Sequence, residues 1–101
     1  MQALYDAGVD VALQAHQHNY ERFAPQTPDR SRDDARGIRA FVVGTGGADF
    51  YEAAGDAPNS QAFSDSTHGV LKMRLWKDGY DWHFQNIGET SFTDSGTGTC
   101  H

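Results

Sequence analysis

Apolar residues in this chain gather in a few short groups, separated by long polar stretches. Val9, Val11 and Leu13 alternate with Asp10, Ala12 and Gln14, which predicts a strand over residues 9–14. Before it, MQALYDAG reads as a helical run without a capping residue or polar lead-in, and Gly8 suits the left-handed position that closes a helix. GIRAFVVGTGG reads as a second strand entering a glycine turn, and its consecutive Phe41, Val42 and Val43 predict burial on both faces. In HGVLKMRLWKDGYDWHFQNIG, Val70, Lys72, Arg74 and Trp76 alternate with Leu71, Met73 and Leu75, and Asp78-Gly79 is expected to form the turn of a β-hairpin.

The segments between are polar. APQTPDRSRDDARG, residues 24–37, mixes two prolines with interleaved Asp and Arg and reads as an exposed loop. ADFYEAAGDAPNSQAFSDST is expected to be irregular. TSFTDSGTGTCH suggests a terminal strand followed by disorder, so 93–101 is predicted to be a flexible tail. A helix, a glycine turn and a short apolar strand make half of a βαβ unit. The strand that would complete it is expected upstream, so the chain reads as part of a larger α/β domain.

Composition agrees with a partial core. Leu, Ile, Val and Phe number 17 of 101 residues, with 12 aromatics, which is thin for so much loop. Fourteen acidic residues against eight basic ones give a formal charge of −6, so nucleic acid is not expected as a partner. No apolar stretch approaches the roughly 18 residues of a membrane helix, and no secretory signal is present in these residues. Cys100 stands alone and has no internal disulfide partner; it is a free thiol or half of a bridge to sequence outside this chain.

The candidate chemistry lies at the end of the first strand, in AHQHNYER. Two histidines at i, i+2 on extended backbone point to the same side, with alpha carbons about 6.5 Å apart. Imidazole nitrogens bind zinc at about 2.0–2.1 Å, and paired catalytic metals lie about 3.5–4 Å apart. His16 and His18 can therefore share one ion or hold two. Ligands of open α/β sheets also collect at the carboxyl ends of parallel strands, which is where this pair sits.

AHQHNYER, preceded by LYDAGVDVAL and followed by VVGTGG, HGVLKMRL, KDGYDWHF and SFTDSGTGTCH, resembles the carboxyl-terminal portion of the calcineurin-like metallophosphoesterases, in particular the purple-acid-phosphatase-like branch. The family's last motif reads Gly-His-x-His, often continuing into Tyr-Glu-Arg. The resemblance implies a four-layer α/β-β/α sandwich that contributes one helix, a strand ending in the His-x-His, and further strands including a β-hairpin. It also implies a dinuclear site of Fe, Zn or Mn that hydrolyses phosphate esters, with His16 a ligand of one metal and His18 of the other. Ala15 replaces the motif's glycine, so strain is expected there if the backbone needs positive φ. The Gly-Asp-x-x-Asp and Gly-Asn-His-Glu blocks of the family are absent, so the missing amino-terminal part of the catalytic domain is an expected partner, and the segment alone is expected to be inactive. An exported parent protein is expected as well.

Other polar residues carry weaker expectations. Tyr20, Glu21 and Arg22 are candidates for a shell orienting the two histidines, or else for ordinary structural pairs. His68 and His83 read as packing or surface histidines of the hairpin, and GTGG as a turn. The alternatives to the phosphoesterase reading are a non-catalytic remnant or binding module without a complete metal site, and a single-zinc protein in which His68, His83 or an aspartate joins His16 and His18.

Overall fold

The computed structural model describes residues 1–50, 55 and 57–101. Helix α1 (Gln2–Asp6) is followed by strands β1 (Val11–Gln14), β2 (Tyr20–Phe23), β3 (Arg39–Val43), β4 (Ser60–Ser64), β5 (Gly69–Trp76), β6 (Gly79–Asn86) and β7 (Asp94–Thr99). The helix stops as its sequence predicts. Gly8 takes φ +78, and the N–H groups of Gly8 and Val9 donate to the carbonyls of Tyr5 and Leu4, both at 3.1 Å. Those two bonds satisfy carbonyls that the helix end would otherwise leave open and turn the chain into β1.

Two sheets result, a four-stranded one in the order β1-β3-β2-β4 and a three-stranded one in the order β5-β6-β7. β1 runs parallel to β3, with Leu13 opposite Phe41; β2 is antiparallel to both β3 and β4. The second sheet is antiparallel throughout, pairing Leu71 with Phe84 and Met73 with Trp82. The inner faces meet on aromatic rings. Tyr20, Phe41, Tyr80, Trp82 and Phe84 form the buried cluster, with Tyr20 and Phe84 centroids 4.5 Å apart and Phe41 edge-on to Trp82 at 5.4 Å. Rings of this size bury 150–250 Å² each, which is how a chain with few aliphatic residues still closes a core.

The fold is thus mixed α/β, mostly strands, with one short helix among the described residues. Four details differ from the sequence reading. The 48–67 stretch is not irregular throughout, because Ser60–Ser64 adds to the sheet beside β2 with a register shift between Arg22 and Phe23; residues 51–54 and 56 of that stretch lie outside the described residues. Of residues 93–101, expected as a terminal strand and a flexible tail, Asp94–Thr99 forms the strand and pairs with β6 along its length, so the strand takes up most of the segment. The hairpin turn is Lys77-Asp78, one residue earlier than expected, since Gly79 already pairs with Trp76. The expected 9–14 strand begins its ladder at Val11.

The loop over 24–37 is held by short local bonds. Asp33 accepts from the backbone N–H groups of Ala35 and Arg36 and from the Tyr5 hydroxyl, and the Arg36 guanidinium lies 5.5 Å over the Tyr5 ring. Arg36 and Tyr5 hydrogen bonds to Asp33 keep that carboxyl below its usual range. Among the described residues, no helix is long and apolar enough to cross a membrane.

Candidate functional site

The sheet order decides the path of the histidine segment. β2 lies on the far side of β3 from β1, so the link from Gln14 to Tyr20 must cross over the carboxyl end of β3 and reverse. An extended strand cannot do this in five residues. His16 takes φ +76, and the Gln17 N–H donates to the Ala15 carbonyl at 2.9 Å, closing a three-residue turn around His16. A second bond, from the Asn19 N–H to the Gln17 carbonyl at 2.9 Å, closes another around His18. Turns of the first kind, with positive φ at the centre, are rare and strained. The extended geometry that would set both imidazoles on one side does not hold, and the left-handed residue is His16 instead of Ala15.

Gly44 forms the floor beneath this turn. Its N–H donates to the Asn19 carbonyl at 2.9 Å, continuing the β2–β3 ladder. A Cβ at this position would overlap the Gln17 carbonyl oxygen, lie 2.8 Å from the Gln17 carbonyl carbon and 3.3 Å from the His18 alpha carbon. The first glycine of GTGG is therefore set by the histidine turn passing over it.

The two imidazoles differ in setting. His16 is exposed, while His18 is partly buried and its Nδ1 lies 2.6 Å from the Asp49 carbonyl oxygen. In a neutral ring, an Nδ1–H donated to that carbonyl leaves the lone pair on Nε2, the arrangement that orients histidine ligands of metals. Beside the turn, a groove of about 530 Å³ is lined by Leu13, Ala15, Val43, Thr45, Leu71 and Met73.

The rest of the predicted site does not assemble around these histidines. Tyr20 and Arg22 point into the core, where the Tyr20 hydroxyl donates to Asp94 at 2.6 Å and Arg22 binds the same carboxylate through Nε at 2.8 Å and Nη2 at 3.1 Å. The Trp82 indole N–H adds a fourth bond at 3.2 Å. Burial pulls the Asp94 carboxyl upward, but the bonds from Arg22 and Tyr20 outweigh it and hold the group below its usual range. Burial first, and then Asp94, push the Tyr20 hydroxyl far above its ordinary value. Glu21, by strand alternation, faces the opposite side of the sheet; it is buried, and its Oε2 has no hydrogen-bond partner among the described residues. None of the three orients His16 or His18.

His83 lies exposed on β6 opposite Lys72. Asp81-Trp82-His83 spells an Asp-x-His, yet Asp81 is engaged by Arg74 at 2.5 Å on the outer face of the hairpin. His68 binds Glu89 and the Ala48 carbonyl. Cys100 packs against the core, and burial and then Asp10 raise its thiol above the ordinary range. Among the described residues no three His, Cys, Asp or Glu side chains converge as a metal site, so neither the single-zinc arrangement nor a full dinuclear ligand set is formed by them. The described donors fit a metal only as a partial set.

With that geometry in hand, one comparison bears on the family. The chain is similar to a plant protein named Probable inactive purple acid phosphatase 1. That protein, from Arabidopsis thaliana, is 36% identical over 73 residues, which is 64% of this chain and 12% of the relative. The likeness suggests the purple acid phosphatase family without reaching further, because the chain spans about an eighth of the relative's length. No family model matches the chain, and no solved structure matches it.

Proposed function

We propose that this chain is the part of a calcineurin-like phosphoesterase domain that carries the His16–His18 ligand pair. The observation that supports this best is the crossing turn: a parallel strand pair, β1 and β3, delivers both histidines to its carboxyl end, with His18 anchored through Nδ1 to a backbone carbonyl. In this reading a further polypeptide segment supplies the remaining ligands and outer layers of a four-layer sandwich. Two ions of Fe, Zn or Mn and a phosphate-ester substrate belong to the complete domain, as does an exported parent protein.

A second reading has its own support. The Arabidopsis relative is named inactive. A domain that keeps the fold without turnover accounts for that name.

Elemental analysis of the intact gene product, beside its rate on an aryl phosphate, separates the possibilities. Loss of metal on replacing His16 or His18, with His68 and His83 variants unchanged, supports the ligand assignment. Metal content that survives replacement of both His16 and His18 overturns it. Metal bound through these histidines without hydrolysis selects the non-catalytic reading.

A further inference from the structure

His68 lies just before β5, and its ring meets a hydrogen-bond acceptor on each nitrogen. Nδ1 is 2.9 Å from Glu89 Oε1, and Nε2 is 3.2 Å from the Ala48 carbonyl oxygen. Glu89 is fixed in place because the same oxygen accepts the His68 backbone N–H at 2.6 Å. On its face, the ring stacks against Phe50 with centroids 4.2 Å apart and planes 28° apart.

A carboxylate and a carbonyl only accept hydrogen bonds, so both are satisfied only if both ring nitrogens carry protons. A neutral imidazole has one N–H and must leave one acceptor without it. The Phe50 face also favours a cation over a neutral ring. The doubly protonated ring alone meets all three partners at once, and two of them, Ala48 and Phe50, belong to the segment that gives the Asp49 carbonyl to His18.

We propose that His68 is a protonation-dependent clasp, fastening the 48–50 segment to the loop after β6 when doubly protonated and releasing one side when neutral. Among the described residues, the charged and titratable groups tied to it are Glu89 from the loop after β6 and, through the gripped segment, Asp49 and the His18 that this residue's carbonyl holds. Thr45 and Thr67, in the neighbouring loops, are uncharged. The sign follows from the donor count: the clasp is closed when both ring nitrogens carry protons and opens when one is lost, so acid favours the closed form. Closing it steadies the carbonyl that holds His18, and the clasp stands whether or not His18 binds a metal.

The test is NMR on the whole chain, following the His68 ring nitrogens by long-range ¹⁵N–¹H correlation while recording contacts between the Phe50 and His68 rings. Both nitrogens should carry protons at the acid end, and the ring contacts should weaken several-fold as one proton leaves. In His68→Gln, amide exchange at Phe50, corrected for its intrinsic pH dependence, should be fast at both ends. A His68 ring with a single proton while the Phe50 contact is strong overturns the proposal, as does a contact that ignores pH. Should the variant fail to fold, the wild-type titration decides by itself.

Discussion

Replacing Gly44 with alanine tests whether the histidine turn rests on β3 as described. The φ of Gly44 is not in the left-handed region, so alanine meets no dihedral strain there, and the whole effect is one of space. The added Cβ would overlap the Gln17 carbonyl oxygen and stand 2.8 Å from its carbon, where 3.4 Å begins ordinary contact, so the turn must lift by more than the roughly 0.6 Å that the carbon alone requires. Both colliding groups are backbone and cannot rotate away. Overpacking of this kind costs about 1–3 kcal/mol, and the stiffer unfolded chain returns about 0.4–1 kcal/mol. A net loss of about 1–2 kcal/mol should lower the melting temperature by roughly 4–16 °C in a domain near 100 residues. Gly46 is the control, because an added Cβ there has nothing within 4 Å and its φ is not positive, so Gly46→Ala should be neutral or slightly stabilising. Thermal melts of both variants, with the ring resonances of His16 and His18, make the assay. Equal melting temperatures for the two variants, or unmoved histidine signals in Gly44→Ala, would refute the crossing turn.

Other outcomes follow from the same structure. Asp94→Asn should cost about 3 kcal/mol by leaving Arg22 without its buried partner; because the Asp94 carboxyl is held below its usual range, its contribution is present above about pH 4 and fades as pH falls further, so urea midpoints of wild type and variant should converge in acid. Cys100 should react with iodoacetamide more slowly than free cysteine at about pH 8, since its raised thiol leaves less thiolate; equal rates would contradict the packing. The chain by itself should show no metal-dependent hydrolysis of an aryl phosphate above a His16→Ala, His18→Ala double variant.

Some of this architecture was legible because the residues themselves carry it. β1, β3 and the β5–β6 hairpin contain their own apolar side chains, so alternation or a run of Phe and Val revealed them. β7 has no apolar residue at all. Its Gly96 and Gly98 leave room for the rings of Trp82 and Tyr80, where an added Cβ would collide with them, so the aromatic surface that holds the strand is written in β6. β4 offers only Ala62 and Phe63, and its pairing depends on β2. His16 and His18 follow the end of β1, where the alternation stops, but their geometry is not legible in the sequence: it is set by β3 lying between β1 and β2, a fact about topology. For Tyr20 and Arg22 the sequence leaves a shell around the histidines and an ordinary structural pair both open, and the partner they take, Asp94, is not legible because it lies more than 70 positions away in the chain.

That separation has a consequence for how the chain is made. During synthesis Tyr20 and Arg22 emerge more than 70 residues before Asp94, the carboxylate that neutralises the guanidinium and accepts the phenol hydrogen bond. Until then Arg22 cannot enter the core at acceptable cost, so β2 must wait with one face wet. At about 5–20 residues per second, the interval is several seconds, during which the aromatic face of β2 stands open to chaperones or to copies of the chain, and that of β6, Gly79–Asn86, joins it only at the end. The residue that finishes the centre of the molecule is thus made more than 70 positions after the side chains it completes.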